Sequence, residues 1–137
     1  MVEQWIRWEP VKGLSDKYYI ESIVDNMAGF EILMSDSKEQ SNKIRVIFEH
    51  SVDAYRSTYG SFRQEKIYFI ETHYGTKFYA EWTFFKVTHS SYLLWLSEQS
   101  YGITDSLSPI HFSFLAMDSV VDVVATYEPK IEIFIEE

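Results

Sequence analysis

Four histidines, twenty-one carboxylates and no cysteine make up the residues of this chain that could do chemistry. His50, His73, His89 and His111 lie 23, 16 and 22 residues apart, whereas the ligands of a local metal motif recur about two to five residues apart. No metal ion and no cofactor are expected. Without a thiol there is neither a thiolate ligand nor a cysteine nucleophile. Glu71 and His73 would share one face of a strand and could form a carboxylate–imidazole couple. Acid–base catalysis also needs a nucleophile or a second acid close by, and the sequence offers none there. The chain has no Gly-rich phosphate loop, no H-E-x-x-H, no G-x-S-x-G and no EF-hand spacing. No residue is assigned a catalytic role.

The carboxylates point instead to recognition. Near the C-terminus Glu132, Phe134 and Glu136 alternate with Ile131, Ile133 and Ile135. In a strand this turns the isoleucines to the core and an acid–aromatic–acid stripe outward. Such a stripe suits contact with a basic protein surface, or it serves as a charged edge that discourages aggregation.

The net charge is −9, and it is uneven. Through Lys86 there are eleven basic and thirteen acidic residues. From Val87 onward Lys130 stands alone against Glu98, Asp105, Asp118, Asp122, Glu128, Glu132, Glu136 and Glu137. This field repels phosphate backbones and anionic membrane surfaces, so neither nucleic acid nor membrane is an expected partner. It is either a solvating surface or a patch that steers a basic protein. In the second case Glu98, Asp105, Asp118, Asp122, Glu132, Phe134 and Glu136 are the candidate partner-binding residues.

The elements that must position these groups follow from periodicity. A length of 137 residues fits a single domain spanning 1–137, and 46% apolar with 18% aromatic content gives it ample surface to bury. The absence of cysteine, of a basic-then-apolar leader and of any long apolar run points to the cytosol. Tyr18 to Asp25, Phe30 to Met34 and Lys43 to Glu49 read as strands; in the third, Ile44, Val46 and Phe48 share a face. Val52, Tyr55, Tyr59 and Phe62 recur at helical spacing behind Ser51, which predicts a short helix to about Ser61. Ile67 to Thr72 and Trp82 to Thr88 read as strands, with His73 to Thr76 as a turn. Ser90 or Ser91 caps a second helix carrying Tyr92 to Leu96, with Trp95 expected in the core and Gly102 near its end. His111 to Met117, Val120 to Thr126 and Lys130 to Ile135 complete the strands. The expected fold is α+β, a mostly antiparallel sheet of six to eight strands with two short helices.

The stretch Trp82 to Ile103, together with His111-Phe112-Ser113-Phe114 and Val121 to Pro129, resembles small cytosolic proteins of Bacillus and related bacteria that look like immunity proteins of polymorphic toxin systems. The resemblance implies a non-catalytic protein that binds a basic, nuclease-like toxin domain and blocks it. It carries no site residues with it. Two other readings stand beside it: a structural or regulatory homodimer built on an exposed strand edge, and a small-ligand domain with an aromatic pocket around Glu71 and His73.

Overall fold

The computed structural model describes residues 2–137. In chain order the elements are β1 (Gln4–Arg7), β2 (Tyr18–Asn26), β3 (Gly29–Asp36), β4 (Asn42–Phe48), β5 (Ala54–Tyr59), α1 (Gln64–Tyr74), α2 (Thr76–Ala80), β6 (Phe84–Thr88), α3 (Ser91–Gln99), β7 (Ile110–Leu115), β8 (Ser119–Ala125) and β9 (Lys130–Ile135). Short 3-10 helices at Gly60–Arg63 and Ile103–Leu107 precede α1 and β7. All strand pairing is antiparallel. The fold is α+β.

Three layers result. The outer sheet runs β2-β3-β4-β9 and the central sheet β1-β6-β7-β8-β5. Alternation decides which side chains fill the space between them. Ile44, Val46 and Phe48 of β4 and Ile32 and Met34 of β3 meet Phe84, Phe112, Phe114, Val121 and Val123 of the central sheet. The opposite face of the central sheet carries Trp5, Phe85, Val87, Leu115 and Val120, which pack against Ile67 and Ile70 of α1 and Phe78 and Tyr79 of α2. Strands β7 and β8 are therefore covered on both faces, and β8 is buried throughout. That double burial is why Val120-Val121-Asp122-Val123-Val124 shows no apolar–polar alternation. The N-terminal residues belong to this frame too: β1 pairs with β6, and Trp5 and Trp8 are buried.

Two elements differ from their local periodicity. The segment predicted as a helix from Val52 is β5. Its inward residues are Ala54, Arg56 and Thr58, and its register is set by β8, where Arg56 lies opposite Asp122. A non-local ladder with an ion pair outweighs the i, i+3, i+7 spacing of Val52, Tyr55 and Tyr59. Conversely, Ile67 to Thr72, rich in strand-favouring residues, lies within α1. Ile67, Ile70 and Glu71 fall on one helical face, and the two isoleucines cover Trp5 and Phe85. The expected cap of α3 is present: the Ser90 hydroxyl accepts a 3.0 Å hydrogen bond from the Leu93 amide.

Candidate partner-binding face

The site begins with a buried acid. In β8, Asp122 stands opposite Arg56 of β5 and Ser113 of β7, on the face turned to the helices. Its side chain is fully buried, so an uncompensated charge there would cost several kcal/mol. Three donors compensate it. His111 Nε2 donates to Oδ1 at 2.7 Å, while Arg56 Nε and a terminal nitrogen of Arg63 donate to Oδ2 at 2.8 Å each. Burial pushes the Asp122 carboxyl pKa upward. The His111 hydrogen bond and the charges of Arg63 and Arg56 outweigh that and hold it well below the usual carboxylate range. The bond to Asp122 also keeps a proton on Nε2 of His111, leaving Nδ1 buried and, like the Ser113 hydroxyl, without a partner among the described residues.

This network reaches the surface through stacked rings. The Arg56 guanidinium lies 4.1 Å from the centre of the Tyr92 ring, and Tyr92 stacks on Trp95 with centroids 6.2 Å apart and planes inclined by 20°. Tyr92 also meets the edge of His111, whose other flank meets Trp5. A second tether holds the start of α3: Glu3 accepts from the Ser91 amide at 2.8 Å and from Lys66 of α1 at 2.6 Å. Burial raises the Glu3 pKa, and the bonds from Lys66, Ser91 and Trp5 more than reverse it. The helix is thus clamped at its N-terminus and along its inner face.

Its outer face is unusual. Ser91, Leu94, Trp95, Glu98 and Gln99, at i, i+3, i+4, i+7 and i+8, are all exposed. Leu94 is 62% and Trp95 53% exposed, so Trp95 is not the core residue expected of it. Gly102, with φ of +84°, turns the chain into the second 3-10 helix; Tyr101 just before the turn and Ile103 and Leu107 within that helix are exposed as well. Glu98 and Asp105 are exposed on the same two elements, and no Lys or Arg occurs between Lys86 and Lys130.

The seven acid and aromatic residues singled out in the sequence do not form one patch. Glu98 and Asp105 lie on the α3 face. Asp118 is exposed in the β7–β8 turn, at the far end of β7. Asp122 is corrected outright: it is buried and bound to three residues of its own chain, so it contacts no partner. Glu132, Phe134 and Glu136 do point outward from β9, but the outer sheet neutralises them. Arg45 pairs with Glu132 at 2.8 Å and with Glu31 at 3.0 Å, and it covers the Phe134 ring at 4.2 Å. Lys43 bridges Glu136 and Glu21. Of the three isoleucines expected to face the core, Ile131 packs there, while Ile133 and Ile135 are 47% and 69% exposed beside the free edge of β9. The Glu71–His73 couple is corrected too. On a helix, residues two apart diverge: Glu71 accepts from the Tyr79 hydroxyl at 2.5 Å, and His73 Nδ1 donates to the Phe69 carbonyl at 2.8 Å.

The sequence does not single out the supporting Arg56, Arg63 and His111, nor the exposure of the aromatic rings of Trp95 and Tyr101. One signal was present. Tyr92 to Leu96 is apolar around more than one helical face, and a helix lying on a sheet buries only one. Comparison with protein-family models, curated proteins and solved structures finds no match for this chain.

Proposed function

We propose that this chain is a cytosolic, non-catalytic protein-binding domain that docks a basic protein through the outer face of α3 and the following 3-10 helix. The nuclease-like domain of a toxin, neutralised as an immunity protein would neutralise it, is the partner that best fits. The observation that carries this reading is the exposure of Leu94 and Trp95 on a helix whose inner face is already filled. A helix serving only as a lid presents polar residues to water. Here a large aromatic and an aliphatic side chain stand out, with Glu98 and Asp105 beside them, which is the anchor-and-rim composition of a binding hot spot. The charge supports the choice of partner. A domain that holds phosphates needs positive potential, and a segment of more than forty residues with no Lys or Arg, carrying Glu98 and Asp105, complements it. A cytosolic setting is consistent with the lack of cysteine; among the described residues no helix is long and apolar enough to cross a membrane. The test is co-expression with the basic C-terminal domain of a large secreted protein encoded beside this chain: protection by the wild type, lost in Trp95→Ala, supports the reading.

A second reading has its own observation. Ile133 and Ile135 of β9 stand exposed next to an unpaired strand edge, lining a cleft of about 550 Å³ with Gly13, Tyr18 and Ile44. An apolar edge of this kind favours pairing with a second copy. Sedimentation of the wild type against Ile135→Lys decides it: a dimer that the substitution dissociates supports the homodimer, and a monomer in both excludes it.

A further inference from the structure

Lys17 lies between two adjoining clefts on the helix side of the molecule. One, of about 440 Å³, is mainly apolar and is walled by Ile67, Leu115, Met117 and Val120, with Tyr79 beside the amine. The other, of about 510 Å³, is polar and is lined by Asp16, Asp36, Lys38 and Glu81. Both include Lys17, Ala80 and Met117. The Nζ donates to the Trp82 carbonyl at 2.8 Å and to the Leu115 carbonyl, and no carboxylate pairs with it among the described residues. Two carbonyls satisfy two N–H groups. The third position on the nitrogen is bonded to no acceptor among the described residues, and in the neutral amine this position carries the lone pair. Burial lowers the Lys17 pKa to about 7.

We propose that Lys17 is a nucleophilic amine that captures an aliphatic aldehyde, seating the hydrocarbon tail in the apolar cleft and forming an imine. The nitrogen lone pair adds to the carbonyl carbon, and the π electrons pass to oxygen. One N–H proton passes to that oxygen, giving a carbinolamine; the hydroxyl then takes up a proton and leaves as water while the nitrogen gives up its second proton, and C=N remains. The adjoining polar cleft carries Asp16, Asp36 and Glu81 against Lys38, an excess of carboxylates that disfavours an acid ligand and leaves a neutral carbonyl compound as the fitting class. This site is independent of the α3 face.

The full chain, incubated at neutral pH with hexanal and cyanoborohydride and then digested for mass mapping, tests it. The expected result is alkylation of Lys17 at least about tenfold ahead of exposed Lys12 and Lys77, since each pKa unit is a factor of ten in neutral amine. The preference should disappear in urea and be weaker with acetaldehyde, which has no tail to seat. Alkylation of Lys17 no faster than Lys12 in the folded chain would overturn the nucleophile. Equal preference with acetaldehyde would overturn the cleft as the ligand site.

Discussion

The guanidinium of Arg56 lies over the ring of Tyr92 at 4.1 Å while its Nε holds the carboxylate of Asp122 at 2.8 Å. A charge buried in the central sheet is thereby joined, through one side chain, to the helix that displays Trp95. The face is held in place before any partner arrives, which reduces the ordering cost of binding.

Removing that charge should be expensive. Asp122→Asn leaves Arg56, Arg63 and His111 around a neutral amide, and breaking a buried pair by losing one partner costs about 3–5 kcal/mol. Since Arg56 is partly solvated, about 3 kcal/mol is expected in urea unfolding at pH 7. A loss under about 1 kcal/mol, the range of surface pairs, would refute the network's role.

The same group sets an acid dependence. The folded pKa of Asp122 lies below its ordinary value of 3.8, so its contribution is fully present above that pH and declines as pH falls through the folded pKa. The stability gap between wild type and Asp122→Asn should be constant from pH 7 to about 5 and shrink at lower pH. Unfolding curves at stepped pH values measure it; a gap that widens toward acid would contradict the assignment.

Lys17 gives stability the same direction of pH dependence as Asp122, in a higher window. Its pKa is about 7 in the fold and 10.5 as the ordinary value, so between these limits the unfolded chain binds the extra proton and stability rises with pH. Lys17→Met should flatten this rise, and denaturant titrations at pH 7 and 9.5 would show it.

Gly29 closes the β2–β3 hairpin at φ of +138°, and a Cβ there would sit 2.6 Å from the Phe48 carbonyl oxygen. Gly29→Ala should cost about 1–3 kcal/mol through backbone strain of this kind, read as a lower melting temperature. Gly75→Ala, which has open space but also a positive φ, should cost less.

These residues also show what a sequence does and does not disclose. Ile44, Val46 and Phe48 could be placed because alternation is local, and Ser90 because a cap acts within one turn. The strand at Ala54 and the helix at Gln64 could not, because their states are decided by partners distant in the chain: Asp122 opposite Arg56, and Trp5 and Phe85 beneath Ile70. At the candidate site, Glu98 and Asp105 stand in the sequence as candidate partner-binding acids, and both are exposed. The burial of Asp122 is not legible there, although its place within four valines is how a doubly covered strand reads once the layers are known.

The outer face of α3 is the surface proposed to bind a basic protein. The most direct measurement is the affinity of this chain and its Trp95→Ala variant for a basic, nuclease-like toxin domain, followed by calorimetry at two salt concentrations. Trp95 is half exposed and stacks on Tyr92, so the substitution should cost about 0.5–1.5 kcal/mol of stability. It should weaken binding by about 2 kcal/mol or more, roughly thirtyfold, as expected of an anchor, and added salt should weaken the wild type further. Equal affinity of the two proteins, or wild-type binding that added salt leaves unchanged, would contradict the proposed binding.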